Sequence, residues 1–363
     1  MTLNPLPRRV NESDARAPLR YWSRVAAWSL GILLAFELVI RFFVMRLPPH
    51  VYEAEWGFVP VPNSSSVQGR EGFGALHYLA DGEIRTPFEG GRVAVVMGDS
   101  TVQAAQVNDD VNFISLAETE LRARGLDVDL RNLGRAERTV ADHVFVAPAV
   151  NAKYAPEVVI IQVSPASFSL AWDPAKENHF ADLGNGEIEL VHEDRSAQAA
   201  NDNLVFASGL LSFFNFRWQV TSQGLAARYA EWIPGAVAAQ EPPAGEGVSF
   251  ESQVAPQVQA LKDAYPHSQI VFLVVPYTPS IEYDGSQKLS WVSGEDQALA
   301  NLLAKEPGVR VIYVRDEFRK YYERNHALPR GSFNSAFNFG HLNRDGHIVV
   351  AQALVEALEE ILR

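Results

Sequence analysis

Residues 92–101 read Arg-Val-Ala-Val-Val-Met-Gly-Asp-Ser-Thr, an apolar run closed at once by Gly-Asp-Ser. A short apolar run bounded by turn residues predicts a strand buried on both faces, the habit of a parallel sheet. Such a strand delivers Ser100 to its carboxyl edge, where open α/β sheets bind their ligands. Outward from it, runs rich in Val, Ile or Leu predict strands at 127–132, 157–163, 269–275 and 309–314. Helical patterns lie between them. Phe113–Arg124 is one, and residues 251–265 are another, with Val254, Val258, Leu261 and Tyr265 on one stripe. A last helix is expected over 347–362, with Ile348, Ala351, Val355, Leu358 and Leu362 on one face. Strands alternating with helices predict an α/β fold, a parallel sheet covered on both faces.

His341 opens the stretch His-Leu-Asn-Arg-Asp-Gly-His, residues 341–347, just before that last helix. A serine at a strand's carboxyl edge and a histidine presented before a C-terminal helix make a nucleophile-and-base layout. At these two blocks the chain resembles the SGNH, or GDSL, hydrolase superfamily, and the resemblance covers residues 91–363 as ordered blocks. It implies a flavodoxin-like three-layer fold, with Ser100 as nucleophile, its backbone N–H helping to bind the oxyanion, and His341 as general base. It also implies Gly134, in Asn132-Leu-Gly-Arg135, as a second oxyanion donor; a plain turn glycine is the other reading. His347 reads as a packing residue at the start of the helix.

Two departures stand out. The family's third block is Gly-x-Asn-Asp, whereas this chain has Ser164-Pro-Ala-Ser-Phe168, with Ala166 at the Asn position. Ser164 or Ser167 is left to substitute for the missing donor. The family also places Asp three residues before the histidine, where this chain has Asn338. Asn338 can orient the ring but supplies no negative charge. Asp345 and Asp316 are alternative carboxylates, and a Ser–His dyad is a third arrangement. The resemblance implies a serine esterase or O-acyltransferase acting on an acylated carbohydrate or lipid of the cell envelope. The departures support an alternative, a weak or inactive relative that binds glycan or scaffolds an envelope assembly.

Hydrophobic residues make up 47% of the 363, enough for a large core. The net charge of −13 argues against nucleic acid as a partner, since no basic field engages phosphates. With no cysteine there are no disulfides and no thiolate chemistry. No metal-binding, P-loop or dinucleotide motif occurs, so no cofactor and no metal are expected.

Residues 25–45 are the most apolar stretch, and as a helix these 21 residues would span about 31 Å, one hydrocarbon core. The preceding 24 residues carry five Arg against Glu12 and Asp14, which keeps that tail cytoplasmic and exports the rest by the positive-inside rule. The expected location is therefore a bacterial inner membrane, single-pass, with the catalytic domain periplasmic. A cleaved signal peptide and a buried soluble helix are the other readings. Glu37 and Arg41 interrupt the run at i, i+4 and can neutralise each other, or contact a membrane protein partner.

The expected organisation is a tail at 1–24, an anchor at 25–45 and a linker with an edge hairpin at 46–90. The hairpin is placed at Ala75–Arg85, turning at Asp81-Gly82. The hydrolase-like domain then runs over 91–363. An insertion at 171–250 interrupts it, with a hairpin at Asn178–His192 turning at Gly184-Asn-Gly186. The aromatic stretch Leu204–Trp232 reads as a helical cap with its rings turned inward, or else as a substrate or membrane groove.

Overall fold

The structure is a computed structural model that describes residues 12–47, 50–69, 71–79, 82–184, 187–196, 208–218, 250–282, 288–335 and 338–363. Asp81, Asn185, Gly186 and most of Leu204–Trp232 lie outside the described residues.

Five parallel strands form the central sheet: Arg92–Met97, Val128–Asn132, Val158–Val163, Gln269–Val274 and Val309–Tyr313. Numbered as the chain enters them, their order across the sheet is 2-1-3-4-5, the flavodoxin-like arrangement. All six residues of Val158–Val163 are buried, as a central strand covered on both faces requires. Side-chain alternation splits the core in two. Ala94, Val96, Val158, Ile160, Val271 and Leu273 pack under helices Phe113–Ala123 and Arg344–Leu362. Val95, Met97, Val159, Ile161, Ile270 and Phe272 pack under Val140–Phe145, Ala147–Tyr154, Phe250–Ala264 and Gly294–Leu303. The first strand has the second strand on one side and the third on the other. Its carboxyl end is therefore the switch point, where a crevice opens.

Residues 46–90 are not a linker. They form four-residue strands His50–Glu53, Gly57–Pro60, Ser65–Gln68 and Gly74–His77, paired antiparallel in sequence order. The expected hairpin survives as a bridge between Tyr78 and Ile84, while Gly74–His77 takes Ser65–Gln68 as its partner instead. Ile84 also bridges Asn132 at the sheet edge. Buried Glu83 fixes that attachment, accepting from Arg131 Nη1 at 2.7 Å and Tyr154 Oη at 2.6 Å. An open edge is thus covered by the chain's own N-terminal excursion.

The N-terminal helix Glu12–Val39 continues through a π-type turn at Ile40–Val44. Its segment Arg20–Val44 is long and apolar enough to cross a membrane, with mean hydropathy 1.9 and 6% of its most apolar window buried. Glu37 and Arg41 do pair, at 3.0 Å. Glu37 has a second task, which the sequence reading of the insertion missed. Its carboxylate accepts from Ser208 Oγ and from the N–H groups of Gly209 and Leu210, each at 2.8 Å. It therefore caps helix Gly209–Trp218, where negative charge is favoured. That helix packs against the carboxyl end of the N-terminal helix and leaves Leu211 and Phe214 exposed. A Cβ at Gly209 would sit 3.1 Å from the Arg41 backbone N, so a larger residue there would push the two helices apart.

His347 is fully buried and stacked on Phe113, and its Nδ1 accepts from the Phe113 N–H at 3.3 Å. Burial pushes its pKa down to about 3, and the charges of Arg330 and His341 act the same way. An unfolded histidine titrates near 6.5. Below that pH the unfolded chain holds a proton that the folded one lacks, so His347 costs stability as pH falls. Relative to a His347→Gln variant, wild type should lose on the order of 1 kcal/mol between pH 7 and 5.5. Thermal unfolding of both proteins at each pH measures this; a constant difference in Tm would refute it.

Candidate active site

The strand Arg92–Met97 ends at Gly98, where a Cβ would collide with Val102 and Gln162. The chain then turns into a single helical turn, Ser100–Gln103, capped by Asp99 Oδ1 accepting from the Thr101 N–H at 2.7 Å. Ser100 thus sits on a sharp strand-to-helix turn with its hydroxyl aimed outward, and its own N–H has no hydrogen-bond partner among the described residues.

Ser100 Oγ lies 2.9 Å from His341 Nε2. On the other side of the ring, His341 Nδ1 lies 2.7 Å from Glu71 Oε2, and the His341 backbone N–H donates to Glu71 Oε1. One carboxylate therefore holds both the ring and the main chain of the histidine. Burial pushes the Glu71 carboxyl up, but the hydrogen bonds from His341 and the charges of His341 and Arg330 outweigh it, holding Glu71 below the usual carboxylate range. It stays ionised wherever the site works, so Nδ1 keeps the proton and Nε2 faces Ser100 as an acceptor.

Glu71 corrects the expectation for the carboxylate. Asn338 does not touch the ring: it takes a left-handed backbone, φ 51°, and its Nδ2 donates to the Pro279 carbonyl. Asp345 accepts from Tyr321 Oη at 2.8 Å in the first turn of the last helix. Asp316 pairs with Arg315 at 3.0 Å on the surface. None of the three serves His341, and the bare Ser–His dyad is replaced by a Ser–His–Glu array.

The Glu71 loop is held from afar. Asn334 Oδ1 accepts from the Gly72 N–H at 2.7 Å, and Asn334 Nδ2 donates to the carbonyls of Gly69 and Gly72 at 2.8 and 3.0 Å. On the histidine side, Gly340 N–H donates to Tyr277 Oη at 2.6 Å, and the Gly340 carbonyl accepts from Arg330 Nη1 at 3.1 Å. The Arg330 guanidinium lies 4.4 Å over the Tyr277 ring and also donates to the Pro276 carbonyl at 3.0 Å. Arg330, Tyr277 and Asn334 were missed by the sequence reading, since nothing local marks them.

The oxyanion donors expected from the sequence stand differently. Gly134 packs directly on Val102 and Gln103, so it does lie beside the nucleophile's turn. Its N–H, however, is held by Asn132 Oδ1 at 3.0 Å. Ser164 and Ser167 cap the helix Pro165–Ser169 reciprocally: Ser164 N–H donates to Ser167 Oγ at 3.1 Å and Ser167 N–H to Ser164 Oγ at 3.3 Å. Both oxygens accept helix N–H groups and one hydroxyl donates to the other at 3.2 Å, while exposed Ala166 offers only a methyl. Among the described residues, the Ser100 N–H is a backbone donor without a partner, free for an oxyanion.

No family model matches the chain, and no curated protein matches it. Among solved structures it is similar to TesA, at 11% identity and a TM-score of 0.38 over 74% of this chain and 99% of that one. It is similar to the acetyl xylan esterase AlAXEase at 15% identity and 0.38, over 73% and 99%. A member of the lipolytic protein G-D-S-L family from Veillonella parvula matches at 10% and 0.36, over 74% and 99%. At these scores the likenesses carry no functional weight. The strand order is the flavodoxin-like one, and Ser100 and His341 meet at the carboxyl edge of its sheet, as the sequence reading expected.

Proposed function

We propose that this protein is a membrane-anchored serine esterase or O-acyltransferase that works through an acyl-enzyme. The observation that carries the reading is the unbroken path from Ser100 Oγ through His341 to Glu71, with contacts of 2.9 and 2.7 Å. Ser100 attacks the ester carbonyl while His341 Nε2 takes its proton, and Glu71 stabilises the imidazolium without becoming protonated. The oxyanion forms against the Ser100 N–H at the start of its helical turn. His341 then returns the proton to the leaving alkoxide. A second hydroxyl, from water or from an acceptor sugar, repeats the sequence in reverse and frees the acyl group. Hydrolysis and transfer differ only in that acceptor.

The alternative of a non-catalytic scaffold drew its support from Ala166 and Asn338. Glu71 supplies the charge that Asn338 lacks, which favours the enzyme. The exposed apolar side chains of Arg20–Val44 support the anchor and, with the basic flank before them, an extracytoplasmic domain. A reporter that works only after export, fused behind residue 90, should be active; a cytoplasmic signal would overturn this orientation.

Turnover of a short-chain aryl ester tests the chemistry. Ser100→Ala and His341→Ala should each abolish most activity, and the double variant should cost about as much as either alone, because the two act as a unit. Multiplicative losses, or wild-type rates in Ser100→Ala, would remove the assignment.

A further inference from the structure

Beside the nucleophile's turn lies a cavity of about 450 Å³, within the size range of small-ligand sites. It begins at Gly134 and Gln103, one helical turn beyond Ser100, and extends to Arg135, Arg138, Lys176 and Arg195. Arg135 is tied to the nucleophile strand, its N–H donating to the Gly98 carbonyl at 3.1 Å.

The four cations are not alike. Arg138 faces Asp142 at 3.3 Å, Lys176 reaches Glu137 at 3.8 Å, and Arg195 reaches Glu193 at 3.4 Å. Arg135 has no carboxylate within ion-pair distance among the described residues, and its guanidinium donates only to the Phe58 carbonyl, at 2.8 Å. The acidic groups of the lining are otherwise engaged. Asp142 accepts from the Thr139 N–H and from Asn178, and Asp173 accepts from the Ala175 N–H. Glu137 turns to solvent, and burial pushes the Glu177 carboxyl up, towards its neutral form. Burial pushes Arg135 down to about 9, with Arg138 adding to the effect, and at neutral pH it remains charged. Glu53 acts on it only from beyond ion-pair distance, and a desolvated cation without an ion-pair partner is costly unless a ligand supplies one.

Resting on the esterase reading above, we propose that this cavity binds an anionic group of the substrate, carboxylate or phosphate, with Arg135 as its cation. The substrate class is then an O-acylated acidic glycan, not a neutral one. Arg135 offers a planar fork suited to either oxyanion. Because the cavity adjoins the turn bearing Ser100, an anion held there places a neighbouring acyl ester at the nucleophile.

Binding can be read without turnover in the full-length Ser100→Ala protein, by calorimetry with trigalacturonate, glucose 6-phosphate and neutral mannotriose. At least one anion should bind about tenfold or more tighter than mannotriose, and which one does assigns carboxylate or phosphate. Adding Arg135→Gln should weaken that anion about 10- to 100-fold, and Arg135→Lys should keep part of the affinity. Wild-type turnover of acetylated polygalacturonate should also fall with ionic strength more steeply than turnover of acetylated mannan, a readout that needs no Arg135 variant. Equal affinity for mannotriose or unchanged anion binding in Arg135→Gln would each overturn the proposal, and so would equal salt dependence where trigalacturonate is the anion bound. Aryl-ester turnover by wild type alongside any of those results would leave the esterase reading standing. Arg135-dependent anion binding without turnover would do the reverse.

Discussion

Glu71→Gln should lower kcat on a short-chain aryl ester by about 10²- to 10⁴-fold while leaving KM within about threefold. Glu71 acts through His341, not on the substrate, so the loss belongs in the chemical step. Gln is nearly isosteric, but its amide can turn an N–H towards Nδ1. That forces the proton onto Nε2 and leaves nothing to accept the Ser100 proton. Even with the correct tautomer, the imidazolium formed during attack loses its counter-charge. Glu71→Ala should fall in the same range, because the ring then loses both its 2.7 Å partner and its main-chain anchor. Steady-state kinetics on both variants measure this. Activity within tenfold of wild type would show that Glu71 holds the loop but not the chemistry.

Gly340→Ala should come close to the loss of Glu71 without touching any group that exchanges a proton. Gly340 has φ +89°, and a Cβ there would fall on Glu71 Oε1, the oxygen that accepts from the His341 N–H. The turn has no room to give way, since Tyr277 holds the Gly340 N–H and Arg330 its carbonyl. The carboxylate must therefore move. Activity should fall about 10²-fold, and the strained backbone should cost about 1–3 kcal/mol of stability. In a double-mutant cycle with Glu71→Ala, the second substitution should add less than about tenfold, because both act through one contact. Multiplying losses would mean that Gly340 acts elsewhere.

How much of this was legible in the sequence follows from the range of each signal. The three inner strands, Arg92–Met97, Val158–Val163 and Gln269–Val274, are near-continuous apolar runs because both their faces are buried, and the observed limits of all five strands fall within about a residue of the expected ones. Ser100 and His341 sit at ends of strongly patterned elements, next to turn residues, so each carried a local mark. Glu71 had none. It lies in Gly-Arg-Glu-Gly-Phe, residues 69–73, between two four-residue strands, and it meets a histidine 270 positions away. The one hint was negative: Asn338 at the family's Asp position says that the charge must come from elsewhere. The Pro- and Gly-rich stretch 46–90 looked like a linker because its strands are too short for periodicity to show. It folds through long-range pairs such as Glu83 with Arg131. Glu37 was visible as an oddity in an apolar helix, but its partners, Ser208 to Leu210, are 171 to 173 residues distant. Ser164 and Ser167 were read for a catalytic gap when their spacing also fits a reciprocal helix cap.

The central claim is that Glu71, through His341, makes Ser100 a nucleophile. Intact-mass measurement during exposure to a fluorophosphonate tests it before any natural substrate is known. Wild type should gain one adduct per chain, Ser100→Ala none, and Glu71→Gln one adduct at a rate reduced about as much as its kcat. An adduct on Ser100→Ala, or labelling of Glu71→Gln at the wild-type rate, would contradict it.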